Sequence, residues 1–157
     1  AMDALIIARA IHVVALVHWI GGVAMVTLVL LPAMLRMTEP SLRLSMFESI
    51  EGRFARQARV SVTLVGLSGL YMVYEREAWV LFTYASFWWL HAMVAIWAVF
   101  TFVLFVAEPL FLHAWFHARA LREPEATFAL VLRFHRVLLS LSAITIGAGV
   151  LGAHGFF

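Results

Sequence analysis

The 157 residues contain no cysteine and no lysine, and only 13% of them are charged. Without cysteine the chain can form no disulfide, no zinc-thiolate or iron-sulfur site and no thioether-linked c-type haem. Without lysine, all eleven basic residues are arginines, so a Schiff base or a lysine general base is excluded. Any metal must therefore be bound by histidine, methionine or carboxylate side chains.

Hydrophobic residues are abundant instead, at 64% of the chain, against roughly 45 to 50% in soluble domains. A membrane-spanning helix needs about 20 mostly apolar residues, and four stretches qualify once the short second one is extended into the arginine-bearing segment before it: residues 4–35, 60–74, 82–112 and 134–153. The first is too long for a cleaved signal peptide and is predicted to be retained. The sequence predicts an all-α integral membrane protein, an up-down four-helix bundle in one domain, 1–157.

The loop between the first two stretches has its own pattern. Phe47, Ile50, Phe54 and Ala58 recur at helical spacing, while charged residues occupy the other faces. This pattern is typical of an amphipathic helix lying in the membrane interface.

The arginines are distributed unevenly between the two sides of such a bundle. Only Arg9 and Arg76 fall on one side, whereas nine fall on the other: Arg36, Arg43, Arg53, Arg56, Arg59, Arg119, Arg122, Arg133 and Arg136. By the positive-inside rule the nine face the cytoplasm. We expect a multi-pass protein of the bacterial inner membrane with both termini in the periplasm. No basic stripe with interleaved exposed aromatics is present, so no nucleic-acid partner is predicted.

Two histidines within the apolar stretches are predicted to reach one depth. At about 1.5 Å per residue, His12 and His91 enter the membrane from the same side by similar distances. Histidines on facing helices can ligate a b-type haem from its two sides. Arg9, one turn away, could pair with a propionate, and Trp19 shares the face of His12 with the small residues Ala15 and Gly22, leaving room for a flat ligand.

The same outer histidines also suit a copper ion, with His154 or Met93 as a third ligand. Spacing alone leaves haem and copper open. His18 points away from this face. His113, His117 and His135 gather at the opposite end, and His113 and His117 are expected to be solvated interface residues. Glu108, before Pro109 in the third stretch, is expected to form an ion pair with Arg136, Arg133 or His135.

The run His12-x6-Trp19-x-Gly21-Gly22 resembles the first helix of the copper-resistance D family and that of the membrane protoporphyrinogen oxidases of haem biosynthesis. Two further segments, Gly66-Leu67-Ser68-Gly69-Leu70 and Trp89-Leu90-His91-Ala92, are similar to the oxidase family. The oxidase resemblance implies a four-helix bundle that binds haem b, with His12 as its most important residue. That family carries a basic residue where this chain has Met93. The copper-resistance resemblance implies copper passage or delivery, with His12 as a ligand.

The function predicted from these features is that of a haem-b-binding membrane protein with a redox role, either electron transfer or oxidoreductase activity. The first alternative is a copper-handling membrane protein. The second is a non-catalytic membrane subunit whose histidines only join helices. The predicted partners are the lipid bilayer, a quinone or redox protein, and further copies of this chain.

Overall fold

Four long helices account for most of the computed structural model, which describes residues 2–157. They are α1 (Met2–Leu35), α2 (Pro40–Glu75), α3 (Ala85–Arg122) and α4 (Pro124–Ala153). A short 3₁₀ segment, Ala78–Thr83, connects α2 to α3. No strand occurs in the described residues. The all-helical prediction is therefore confirmed.

The helix ends follow local chemistry. Pro40 and Pro124 each stand at the first position of a helix, where the missing N–H costs nothing and the fixed φ favours helical geometry. At the far end of α4, Gly155 adopts a positive φ of 76°. Its amide donates to Gly152 O and the next amide, of Phe156, donates to Leu151 O. This paired arrangement is a Schellman motif, which satisfies the last carbonyls of the helix.

Two helices contain π-helical segments, Val26–Leu30 in α1 and Val103–Leu112 in α3. The segment in α3 includes Pro109, which has no N–H to donate. In π-helical hydrogen bonding the partner lost by residue 109 is the carbonyl five positions earlier, that of Leu104. Arg59 Nε donates to this carbonyl at 2.9 Å. A side chain from α2 thus satisfies the backbone group that the proline leaves open.

Successive helices pack antiparallel. On α1 and α2 the contact partners run in opposite directions, from His12 with Ser68 to His18 with Ser61. The same order holds between α3 and α4, where Trp89 lies against Gly152 and Phe116 against Phe128. Buried residues form two clusters, one around Trp19, Val62 and Phe100 and one around Leu31, Phe47, Phe116 and Phe128.

Three helices, α1, α3 and α4, are long and apolar enough to cross a membrane. Many of their large apolar side chains are exposed, for example Val14, Leu110 and Ile144. Such surfaces are compatible with contact to lipid. Helix α2 is not among the three, because charged side chains stand along residues 40–59: Arg43, Glu48, Glu51, Arg53, Arg56 and Arg59.

The prediction of a separate interfacial helix in the first loop is wrong. Residues 40–75 form one continuous helix, since no proline or glycine pair interrupts it after Pro40. The predicted apolar stripe exists but packs inside the protein: Phe47 and Ala58 are buried, and the Phe47 ring lies 5.2 Å from that of Phe116. Tertiary contacts with α3 and α4 take the place of the predicted lipid interface.

Candidate functional site

His12 joins α1 to α2 through one ring nitrogen. Its Nδ1 lies 3.1 Å from Val65 O and 3.0 Å from Ser68 Oγ. Because a carbonyl only accepts, the neutral ring carries its proton on Nδ1 and leaves a lone pair on Nε2. A metal-ligating histidine is usually oriented in this way, donating its other N–H to a backbone carbonyl.

The His12 ring also needs the glycine opposite it. A Cβ on Gly69 would lie 3.3 Å from Cε1 of His12, so the imidazole packs directly on the α2 backbone. Gly66 and Gly69 of α2 receive Trp97 and His12 respectively. The close approach holds the imidazole in a fixed orientation between two helices.

Trp19 lies two turns further along α1 and is only 2% exposed. Its ring meets that of Phe100 edge-on, with centroids 4.9 Å apart. Its indole Nε1 is buried without a hydrogen-bond partner among the described residues. An unpaired buried donor costs on the order of 1 to 3 kcal/mol, which an acceptor atom on a bound ligand would offset.

The other outer residues have surroundings of their own. The exposed His91 ring lies against Phe82, with centroids 5.4 Å apart, and His154 is exposed with Nδ1 on its own helix, 2.8 Å from Val150 O. Arg9 is exposed. The methyl group of Met93 packs against Gly149 of α4. Over residues 2–157, His12, His91 and His154 do not form a group of three adjacent ligands.

Part of the space predicted for a flat ligand is filled by protein. The ring of Phe54 occupies the position where a side chain on Gly22 would begin. His12 thus has one ring nitrogen free for a bound group, and Trp19 has one unpaired N–H for it. The pairing of His12 with His91 stays a prediction.

His18 contrasts with His12, because both of its ring nitrogens have partners. Nδ1 lies 2.5 Å from Ser61 Oγ and Nε2 lies 3.1 Å from Gln57 Oε1. No lone pair is left for a ligand. His18 therefore serves α1–α2 packing and provides a matched control for His12.

A second polar cluster lies near the opposite, arginine-rich end of the molecule. Glu51 of α2 and Glu108 and His113 of α3 place one ligand atom each within 4.8 Å of one another. Glu108 bonds Arg59 at 2.9 Å through Oε2, and its Oε1 lies 3.7 Å from His113 Nδ1. The ion-pair partners expected for Glu108, namely Arg136, Arg133 or His135, were wrong.

The Glu51 carboxyl is affected by this setting. Burial, followed by the negative charge of Glu108, raises its pKa to about 7. One turn earlier on α2, Glu48 pairs with His117 at 2.5 Å. His117 is thus in contact with Glu48 of α2, and Nδ1 of His135 lies 2.8 Å from Val131 O in its own helix.

Sequence reasoning missed the proximity of Glu51 to Glu108 and His113. Glu51 stands among charged residues at helical spacing, a pattern that predicts a solvated face. The only available signal was the presence of Glu108 and His113 at similar depth on another helix, and pairing them with Glu51 requires the tertiary structure.

No protein-family model matches the chain, and neither the curated proteins nor the solved structures contain a match.

Proposed function

We propose that this chain is a multi-pass protein of the bacterial inner membrane that binds haem b through Nε2 of His12 and has a redox role. The carrying observation is the Nδ1 contact of His12 with Val65 O, which leaves Nε2 as a ligand atom. The unpaired Nε1 of Trp19 supports the proposal, because its N–H can donate a hydrogen bond to the bound group. When bound, a b-type haem supplies one-electron chemistry through its iron.

Haem is favoured over copper by the number of protein ligands that each requires. A copper ion needs several imidazole or thioether ligands around it, whereas His91, His154 and Met93 have other surroundings in this fold. A haem brings four ligands of its own and needs one or two from the protein. The redox partner would be a quinone or a protein at the membrane surface.

The four-helix bundle in the membrane is part of the proposal. Helices α1, α3 and α4 would cross fully, and α2 would cross with residues 60–74, its charged first half remaining at the cytoplasmic side. Nine arginines would then face the cytoplasm, with both termini in the periplasm.

The test is the visible spectrum of the detergent-purified protein from haem-supplied cells. We expect a Soret band that sharpens on dithionite reduction. His12→Ala should abolish it or weaken it drastically, because the ligand atom is removed while the apolar length needed for insertion is kept. His18→Ala should leave it unchanged, since neither of its nitrogens is free to ligate.

Trp19→Phe refines the same test, because it keeps an aromatic ring against Phe100 and removes only the N–H. We expect weaker haem retention or a shifted midpoint potential. A normal spectrum in His12→Ala would refute the proposal. A colourless protein containing copper would favour the copper-handling alternative, and one free of metal would favour the non-catalytic subunit.

A further inference from the structure

The cluster of Glu51, Glu108 and His113 brings together three metal-ligating side chains from two helices. We propose that these residues bind a divalent first-row transition-metal ion, such as Zn²⁺, Mn²⁺ or Fe²⁺. This site is separate from His12 in both residues and chemistry and does not depend on haem binding.

The spacing of the ligand atoms supports a shared metal. The 3.7 Å between Glu108 Oε1 and His113 Nδ1 is too long for a hydrogen bond. Two ligands bound tetrahedrally at about 2.1 Å to one ion are separated by roughly 3.4 Å. The two atoms are therefore spaced for an ion between them, with the Glu51 carboxylate as the third ligand.

Arg59 orients one of the ligands. Its Nη2 donates to Glu108 Oε2 at 2.9 Å. Its Nε donates to Leu104 O at 2.9 Å, the carbonyl that Pro109 leaves unpaired, and this second bond fixes the guanidinium. Oε1 of Glu108 then faces His113. Hydrogen-bonded support of a ligating carboxylate is the usual arrangement around a protein-bound metal.

The charges of the cluster call for a cation. Two carboxylates at this separation repel each other, and within the cluster Arg59 pairs with Glu108 only. In the hydrogen bonds and ion pairs of residues 2–157, Glu51 takes no partner. A divalent ion would neutralise the repulsion between the two carboxylates and engage the oxygens of Glu51.

The donor types indicate which ions would be bound. One imidazole nitrogen with two carboxylate oxygens suits Zn²⁺, Mn²⁺ and Fe²⁺. Ca²⁺ and Mg²⁺ prefer oxygen-only ligands, and Cu⁺ prefers sulfur. Three protein ligands would leave room on the ion for water or a small anion.

The experiment titrates tag-free, detergent-purified protein with Co²⁺, a spectroscopic substitute for Zn²⁺, in the His12→Ala background so that haem absorption does not interfere. We expect one Co²⁺ per chain, with visible d–d bands that Zn²⁺ displaces. Glu51→Gln and His113→Ala should each weaken binding by at least about tenfold. Glu48→Gln, an equal charge change one turn away on α2, should leave the affinity unchanged.

Folding of the variants is checked by far-UV circular dichroism and gel-filtration elution. His113 has a side chain that is 51% exposed, so its truncation should leave the packing intact. Absence of saturable Co²⁺ binding would overturn the metal proposal, as would a folded Glu51→Gln or His113→Ala variant that binds as tightly as its parent. If Glu48→Gln weakened Co²⁺ binding as much as Glu51→Gln does, the proposal would also be overturned, because the loss would then follow from the change in overall charge and not from a ligand. Because the parent lacks His12, these outcomes are independent of the haem proposal.

Discussion

Individual histidines in this protein differ in which ring nitrogen remains free. In His135 and His154, Nδ1 bonds the carbonyl four residues earlier in the chain. Such a bond does not tie the ring to a second helix. In His12, Nδ1 bonds a carbonyl of the neighbouring helix α2. In His18, both ring nitrogens bond side chains of α2. A ring fixed between two helices with Nε2 free is preorganised for a ligand, because its orientation is set before binding.

The two residues that the sequence placed on one face of the first helix, His12 and Trp19, are both polar groups within an apolar run. That contrast is visible without a structure, because polar atoms at membrane depth are costly. Glu51 lacked such contrast, since its sequence neighbours are charged.

Glu51 gives rise to a pH-dependent stability in metal-free protein. Its pKa is raised from 4.5 to about 7 on folding, so the folded state holds the proton more tightly than the unfolded state. The resulting stabilisation is complete below about pH 4.5 and is lost as the pH rises through 7. The largest stabilisation that this pKa difference can give is on the order of 3 kcal/mol of unfolding free energy.

The measurement is unfolding in mixed micelles with a chelator present, at pH 5 and pH 8. Wild-type protein should be more stable at the lower pH by up to this amount, and Glu51→Gln should lose that difference because an amide does not titrate. A pH dependence that is identical in the two proteins would contradict the assignment.

At the scale of elements, α2 is held to α1 and to α3 where side chains pack on glycines that have no Cβ. Gly22 receives the Phe54 ring, Gly69 receives His12, and Gly66 receives Trp97, whose Nε1 also donates to Val62 O at 2.9 Å. Small residues permit such close helix contacts in membrane proteins. By contrast, nothing lies within 4 Å of a Cβ on Gly147 of α4.

The adjacent glycines of α1 provide a matched pair of variants. A Cβ on Gly22 would lie 2.0 Å from Phe54 Cε2, whereas one on Gly21 would meet nothing within 4 Å. Gly22→Ala should destabilise the protein by about 1 to 3 kcal/mol through overpacking. Gly21→Ala should be neutral or stabilising by up to about 1 kcal/mol, because alanine favours helix.

Thermal unfolding followed by circular dichroism in detergent compares the two. Equal stability of Gly22→Ala and Gly21→Ala would show that Phe54 does not pack closely against α1.

The extent of α2 was the main element that sequence reasoning got wrong. The sequence predicted a spanning helix over residues 60–74, extended into the arginine-bearing segment before it, and an interfacial amphipathic helix in the loop, because the charged side chains there break the hydropathy signal. The structure continues the helix back to Pro40, since its charged residues find partners across the fold: Arg59 with Glu108, Glu48 with His117 and the buried Arg43 with Glu125. Partners on distant helices are not encoded in a local window.

For the whole molecule, the distribution of arginine indicates an orientation in the membrane. Nine arginines belong to one end and two to the other by the predicted spans, and arginine-rich loops stay in the cytoplasm. A reporter fused after Phe157 should therefore show periplasmic activity: alkaline phosphatase active, and green fluorescent protein dark.

The control fuses the same reporters within the 36–39 loop, between α1 and α2, where the opposite pattern is expected. Fluorescence from the fusion after Phe157 would invert the orientation, and would place the Glu51 cluster on the periplasmic side.

The sequence by itself determined that the chain is helical and that α1, α3 and α4 are apolar enough to cross a membrane, because both properties depend on composition and on the length of uninterrupted runs. It also singled out His12 and Trp19, which differ chemically from their surroundings. Only the tertiary structure decided which atoms face each other: that His12 bonds α2, that His91 lies against Phe82, and that Glu51 meets Glu108. Those contacts depend on the rotation and depth of each helix, which are set by side-chain packing between segments far apart in the chain.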